Sequence, residues 1–545
     1  MSAGYAMGHH RTGDLQRLLT SARSLYGDTA PPELDILEER LAEPLRLAIA
    51  GIVKAGKSTL LNAILGDRVA ATDAGECTRL ITWYRYASSP SVTAYSVDGA
   101  ARRLPLKTSE GELTFDLDVP TESVERIEIG WPAPALTSLV VIDTPGIASL
   151  TPASAARTTG FLVPDETPPA ADAMIYLLRR AHPSDLRFLE AFRDTAAGRS
   201  GTVNAVAVLS RADEIGSGRI DSLLSARRVA KRYEQEDSLD ALALGVFPVA
   251  GLLAEGARTM TEPEFRALHE LAGLERTERE GLLVSADRFV RLARLGALDE
   301  AGRKRLISRF GIFGIRLASS LIRTGLADVS DLTTEMTRQS GLSELLEFIE
   351  RQFIGRTATL KTHGVLDGLE VVLRTHPVDD ASQLEEEIER IRLMACELDE
   401  LTLLAQARKR RLASVEDAST ALRILGAEGL SVNERLGLPA EVDPHTLDQR
   451  LAEEIRNWRV RSHDRAHDRT ASEATQVVLR SLERMRVRLQ AGDPDPADSE
   501  LGALDLDDRA TPDVVLPRRP GDRAGEGARE QGEEGESDLS DQHLS

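Results

Sequence analysis

The octapeptide Gly51-Ile-Val-Lys54-Ala55-Gly56-Lys57-Ser58 restricts what this chain can fold into more than any other feature. It matches the pattern G-x-x-x-x-G-K-[ST]. A short apolar run, Leu45 to Ala50, precedes it and predicts a strand; the residues from Lys57 to Leu65 predict a helix that stops at Gly66. The residue types suit a phosphate. Glycines let backbone N–H groups turn inward, and a helix N-terminus adds partial positive charge. Lys57 reaches phosphate oxygens, and Ser58 offers a hydroxyl to Mg²⁺, a hard cation that prefers oxygen. Ala55, Gly56 and Thr59 complete the cradle.

Two further strand ends strengthen this reading. Leu139 to Ile142 is an apolar run that ends in Asp143-Thr-Pro-Gly146. An acid there holds the metal, and Gly146 offers its N–H to the terminal phosphate. Alone the tetrapeptide is an ordinary Asx turn; beside the first loop it is a nucleotide element. Val203 to Leu209 is followed by Ser210-Arg211-Ala212-Asp213. A carboxylate at Asp213 accepts from guanine N1–H and its exocyclic amine, a donor pair that adenine lacks. Ser210 and Arg211 stand where Asn or Thr and Lys are usual, and Arg211 is expected to lay its stem or planar head over the base. A switch threonine is expected at Thr78, 20 residues after Ser58, to supply a hydroxyl to Mg²⁺; Thr72 and Thr82 are its rivals.

The rest of the chain divides by pattern. Further strands are expected at Leu80 to Tyr86, Ser91 to Tyr95, Val124 to Ile129, Ala173 to Leu178 and Val246 to Val249. Their solid apolar runs, with helical patterns between the later ones, predict a doubly wound, mostly parallel α/β domain over 45–300. Residues 1–44 read as helices that pack with the bundle. No strand pattern appears in 301–491, which predicts an all-α bundle or stalk. Residues 492–545 hold 16 acids against 5 bases and read as a disordered acidic tail.

Composition narrows the function. The net charge of −21 argues against nucleic-acid binding, which needs Lys and Arg to neutralise phosphates. Two cysteines, Cys77 and Cys396, are too few for a disulfide framework, and no apolar stretch approaches the roughly 20 residues of a spanning helix. A cytoplasmic chain is expected. Only 7 of the 67 basic residues are Lys, so the pair Lys54 and Lys57 within one loop stands out.

The segments GIVKAGKSTLLNAILG, DAGECTR, DTPG and SRAD, joined to a long helical C-terminus, resemble the bacterial dynamin-like GTPases, in particular the actinobacterial isoniazid-inducible group. The resemblance covers roughly residues 35 to 375. It implies a P-loop GTPase head on a helical bundle, GTP as substrate with Mg²⁺, and catalytic roles for Lys57 and Thr78; Lys54, outside the family pattern, is expected either to act as a catalytic cation or to contact a phosphate. It places Gly51, Ser58, Asp143, Gly146, Asp213, Val249 and Ala250 at the nucleotide, the last two in the loop beside guanine. It also implies self-association through the heads or pairing with a paralogue, contact with anionic membrane lipids, and a peripheral place at the inner face of the plasma membrane. Val53 and Lys54 depart from the usual dynamin residues, and no Gln follows Asp143-Thr-Pro-Gly146 to position water. Two other readings stand beside this one: a regulatory GTPase switch, and a nucleotide-binding structural subunit that pairs with a paralogous dynamin-like protein. Between Arg456 and Arg488, 9 Arg face 4 acids, either a solvated helix face or a lipid contact. The apolar Phe310-Gly-Ile-Phe313 run is expected at the junction of head and bundle.

Overall fold

The computed structural model describes residues 5–70, 80–109, 112–115, 117, 119–146, 161–162, 170–180, 182–196, 204–215, 219, 221–235, 242–292, 298–326, 328–394, 396–406, 418–462 and 469–491. Thr78, its rival Thr72, Cys77 and the acidic segment 492–545 lie outside the described residues. A sheet of nine strands forms the head: β1 (Leu45–Gly51), β2 (Ile81–Tyr86), β3 (Ser91–Ser96), β4 (Ala101–Leu104), β7 (Val124–Trp131), β8 (Leu139–Asp143), β9 (Ala173–Leu178), β10 (Ala205–Ser210) and β11 (Val246–Val249). The two short strands β5 (Lys107–Ser109) and β6 (Glu112–Thr114) pair separately. The order is β11-β10-β9-β1-β8-β2-β7-β3-β4.

β1 lies near the centre, parallel to β8 and β9, and every residue of it is buried. Its run of aliphatic residues without alternation suits a strand covered on both faces. β9, β10 and β11 continue in parallel. β2 runs antiparallel to β8 and parallel to β7, and β3 is antiparallel to β7 and β4, so one half of the sheet is mixed. β4, β5 and β6 escape a reading by apolar runs because they are short and polar; Ala101, Arg102 and Arg103 of the edge strand are exposed.

Beyond residue 300 the described elements are helices. The helix Glu300–Arg323 buries Phe310 and Phe313 against the helix Gly251–Arg258, where a side chain at Gly256 would meet the Phe310 ring. Leu342, Leu345, Leu346, Ile349 and Phe353 share one core with Leu60, Leu61 and Ile64 of the helix Lys57–Leu65. Gly341 precedes the helix Leu342–Gln352 with φ 84°, and a β-carbon there would run into the Pro248 carbonyl.

Residues 5–42 pack on the bundle side: Leu15, Leu18, Leu19, Leu34 and Leu37 join Val365, Leu366, Leu369 and Leu384. A buried ion pair closes this region, Arg40 to Asp172 at 2.6 Å. Lys361, on the helix Thr357–Thr375, donates to the carbonyls of Arg40 and Glu43, which end the helix Glu33–Ala42. Burial lowers its pKa to about 8; Asp172 and Glu43 oppose the shift, and Arg46 and Arg40 reinforce it. Below pH 8 Lys361 is charged in both folded and unfolded chains. Between pH 8 and the ordinary lysine value of 10.5 the unfolded chain binds the extra proton, so stability rises with pH. Relative to Lys361→Met, the wild type should gain up to about 3 kcal/mol across that window. Thermal midpoints of the two proteins from pH 7 to 10.5 check this; a constant difference overturns it.

Candidate functional site

β1, β8, β9, β10 and β11 all end on one side of the sheet, and the predicted site residues gather there. Ile49 pairs with Asp143 and Gly51 with Leu177, so Gly51 and Asp143 finish adjacent strands. The loop from Gly51 to Gly56 then enters the helix Lys57–Leu65, which carries Lys57, Ser58 and Thr59 in its first turn. Thr144 locks the next turn by donating from its N–H and its hydroxyl to the Ile49 carbonyl, at 3.3 and 2.9 Å. Gly146 lies so close to Val53 that a β-carbon would stand 2.8 Å from the Val53 backbone nitrogen. The two phosphate elements therefore touch, and only glycine fits at that contact.

Lys57 Nζ donates to the carbonyls of Gly51 and Ile52 at 3.2 and 3.3 Å. Burial lowers its pKa, and Asp143 opposes the shift. Ser58 Oγ donates to Asp143 Oδ2 at 3.1 Å. Burial pushes Asp143 up to about 6, against Lys57, Ser58 and the Thr144 amide. Its other oxygen, Oδ1, is buried with no hydrogen-bond partner. A buried carboxylate with an unmatched oxygen beside a serine hydroxyl is a hard-oxygen donor set, which fits Mg²⁺.

A cavity of about 180 Å³ opens next to this loop, lined by Ala55, Gly56, Thr59, Asp213, Val249 and Leu252 among others. Burial raises the Asp213 pKa. Ser210 is buried at the end of β10 and donates to the Leu178 carbonyl at 3.2 Å, so it braces the strand. Val249 lines the cavity, whereas the Ala250 amide is committed to the Ser340 carbonyl at 2.9 Å. Thr82 is buried in β2 opposite Asp143, which takes it out of any loop.

Arg211 lines the cavity, and its guanidinium is held by neighbours on this side of the site. The residue is left-handed, with φ 53°, and its Nη2 donates to the Lys54 carbonyl at 3.1 Å. Its Nη1 donates to Glu214 at 2.8 Å, and Glu214 also accepts from Arg179 at 3.0 Å. Lys54 is itself left-handed, with φ 61° and an exposed side chain. Sequence reasoning missed Glu214 and Arg179. Their signal was faint: an acid directly after Asp213, and an Arg directly after a solid apolar run.

Four arginines of the Arg-rich segment are paired within the chain. Arg480 pairs with Asp399, Arg484 and Arg488 with Glu397, and Arg459 with Glu483. Among the described residues no helix is long and apolar enough to cross a membrane.

Comparison with known proteins agrees with this geometry. Residues 47–187 match the dynamin family. The chain is 39% identical over 462 residues to the isoniazid-induced protein IniC of Mycobacterium tuberculosis strain H37Rv, covering 84% of this chain and 93% of that protein. It is 34% identical over 170 residues to the isoniazid-induced protein IniA of the same strain, 30% of this chain and 23% of that one. A solved structure of an oligomerised bacterial dynamin pair aligns over 93% of this chain and 80% of its own, at 12% identity and a TM-score of 0.28.

Proposed function

This chain belongs to the dynamin family of GTP hydrolases, in its isoniazid-induced bacterial branch, and from that premise we propose that it couples GTP hydrolysis to remodelling or maintenance of a membrane. It acts peripherally at the inner face of the cytoplasmic membrane, on anionic lipid, and assembles with itself or with a paralogous dynamin-like chain. The observation that carries the nucleotide chemistry is the Ser58–Asp143 pair with its unmatched oxygen, next to Lys57. Ser58 and Asp143 would hold Mg²⁺, with Thr78 as the proposed switch ligand, and the metal when bound would neutralise phosphate charge. Gly51, Ala55, Gly56, Thr59 and Gly146 enclose the phosphates, and Lys57 offsets charge on the transferring group. Asp213 reads guanine, with Ser210, Arg211, Val249 and Ala250 shaping its surroundings.

Coupling to the helices is supported by the Ala250–Ser340 hydrogen bond, which joins the base-side loop to the turn between the helices Val329–Gln339 and Leu342–Gln352. Sedimentation with anionic vesicles tests the membrane part. Pelleting that increases with GTP is expected; no pelleting in any nucleotide state overturns it and leaves hydrolysis untouched.

Lys54 is assigned to the transition state. Charge builds on the bridging oxygen as the phosphoryl group leaves, so a nearby cation stabilises that state more than bound GTP. Lys54→Ala should lower kcat about tenfold to a thousandfold, with GTP affinity little changed. Steady-state hydrolysis at saturating GTP, over a range of protein concentrations, checks this. A fall in affinity at constant kcat would make Lys54 a ground-state contact instead. A wild-type kcat that rises with protein concentration supports assembly through the heads.

A further inference from the structure

Glu214 lines the cavity beside Asp213 and is held from two sides. β9 and β10 are parallel, with Leu209 paired to Leu178, so the residues that follow them leave the sheet together. Arg179 follows β9, and Arg211 and Glu214 follow β10. Glu214 takes one guanidinium on each carboxylate oxygen, Arg211 on Oε1 at 2.8 Å and Arg179 on Oε2 at 3.0 Å. A planar guanidinium has donors in a fixed fork, so binding one edge of Arg211 sets where its other donor points. That other donor, Nη2, meets the Lys54 carbonyl. Lys54 is held in the left-handed region, which a non-glycine residue adopts only where its surroundings fix it.

We propose that Glu214, seated by Arg179, is a positioning residue: it orients Arg211 so that the base-side turn ties down the phosphate-loop peptide at Lys54. This rests on the reading of the cavity as a GTP site, whose wall includes Arg211 and Glu214, and it adds Glu214 and Arg179 as residues that act through Arg211. A lysine at position 211 would swing an ammonium on a flexible stem and would have no second donor edge for Glu214 to fix. The relay is thus tied to the arginine this chain carries.

The test is a double-mutant cycle on the full chain, with kcat, KM for GTP and thermal midpoint measured for each variant. Glu214→Gln should lower kcat about threefold to tenfold, a modest change because both ion pairs are partly exposed, with the midpoint unchanged. In the Arg211→Ala background the same substitution should have no further effect, since nothing remains to be oriented. Arg179→Ala should reproduce Glu214→Gln in direction. A full-rate Glu214→Gln variant, or effects that multiply in the double variant, overturns the relay. Asp213→Asn serves as the reference for the site itself: lost guanine preference there, beside a silent Glu214→Gln, rejects the relay alone, while an unchanged preference rejects the site.

Discussion

Lys57→Ala is expected to abolish GTP turnover, lowering kcat by about a thousandfold or more, which is roughly 4 kcal/mol of barrier. In the folded chain Lys57 Nζ faces two carbonyls of its own loop, those of Gly51 and Ile52. Neutral carbonyls are weak acceptors for a buried ammonium, and its lowered pKa reflects that burial. A triphosphate offers charged oxygens in the same space, so the side chain gains most when phosphate charge is greatest. Alanine leaves that charge unopposed. Phosphate release at saturating GTP is the measurement, and a normal rate would show that the loop is not the phosphate site. Circular dichroism guards against loss of the fold; Ala at 57 removes a long side chain from the first turn of a helix whose hydrophobic face, Leu60, Leu61 and Ile64, is untouched.

The second large effect is expected at Asp213. Asp213→Asn should weaken GTP binding by about 2–4 kcal/mol, roughly thirtyfold to a thousandfold. The carboxyl is held in a largely desolvated position that raises its pKa. Guanine N1–H and the 2-amino group supply the two donors that a buried carboxylate needs. Asparagine keeps one acceptor and turns an NH₂ toward the 2-amino group, so a donor faces a donor. Xanthosine triphosphate, which carries a carbonyl at that ring position, should recover affinity for the variant. Titrations of GTP, ATP and xanthosine triphosphate against both proteins check this, and equal affinity of the wild type for ATP and GTP would remove Asp213 from base selection.

The elements that carry these effects were legible because each is local. Gly51 to Ser58 follows a solid apolar strand and opens a helix, and Asp143 and Asp213 each stand at the end of a similar strand, so a few consecutive residues define each one. What was not legible depends on distant segments meeting. Arg179 and Glu214 are ordinary exposed charges until the parallel register of β9 and β10 brings them together. The arginines at 480, 484 and 488 read as part of a solvated or lipid-facing helix; that Glu397 and Asp399 of the helix Cys396–Gln406 meet them depends on two distant segments coming together. β4, β5 and β6 lack any apolar run, because edge strands have little to bury.

The contact between Gly341 and Pro248 has a mechanical consequence. With no room for a side chain at 341 and the Ala250 amide bonded to the Ser340 carbonyl, the turn beside the cavity and the start of the next helix are welded at two points. The helix Leu342–Gln352 has 11 residues, so as a lever it would be about 16 Å long. A pivot of about 10° at the weld swings its far end by roughly 3 Å, a shift of the size that repacks a close-fitting core into a second arrangement. Phe348 and Phe353 lie toward that far end, with their rings 5.7 Å apart and Phe247 against Phe348 at 4.9 Å. The stroke of such a lever is read out in aromatic packing, at a distance from the phosphates set by the length of one short helix.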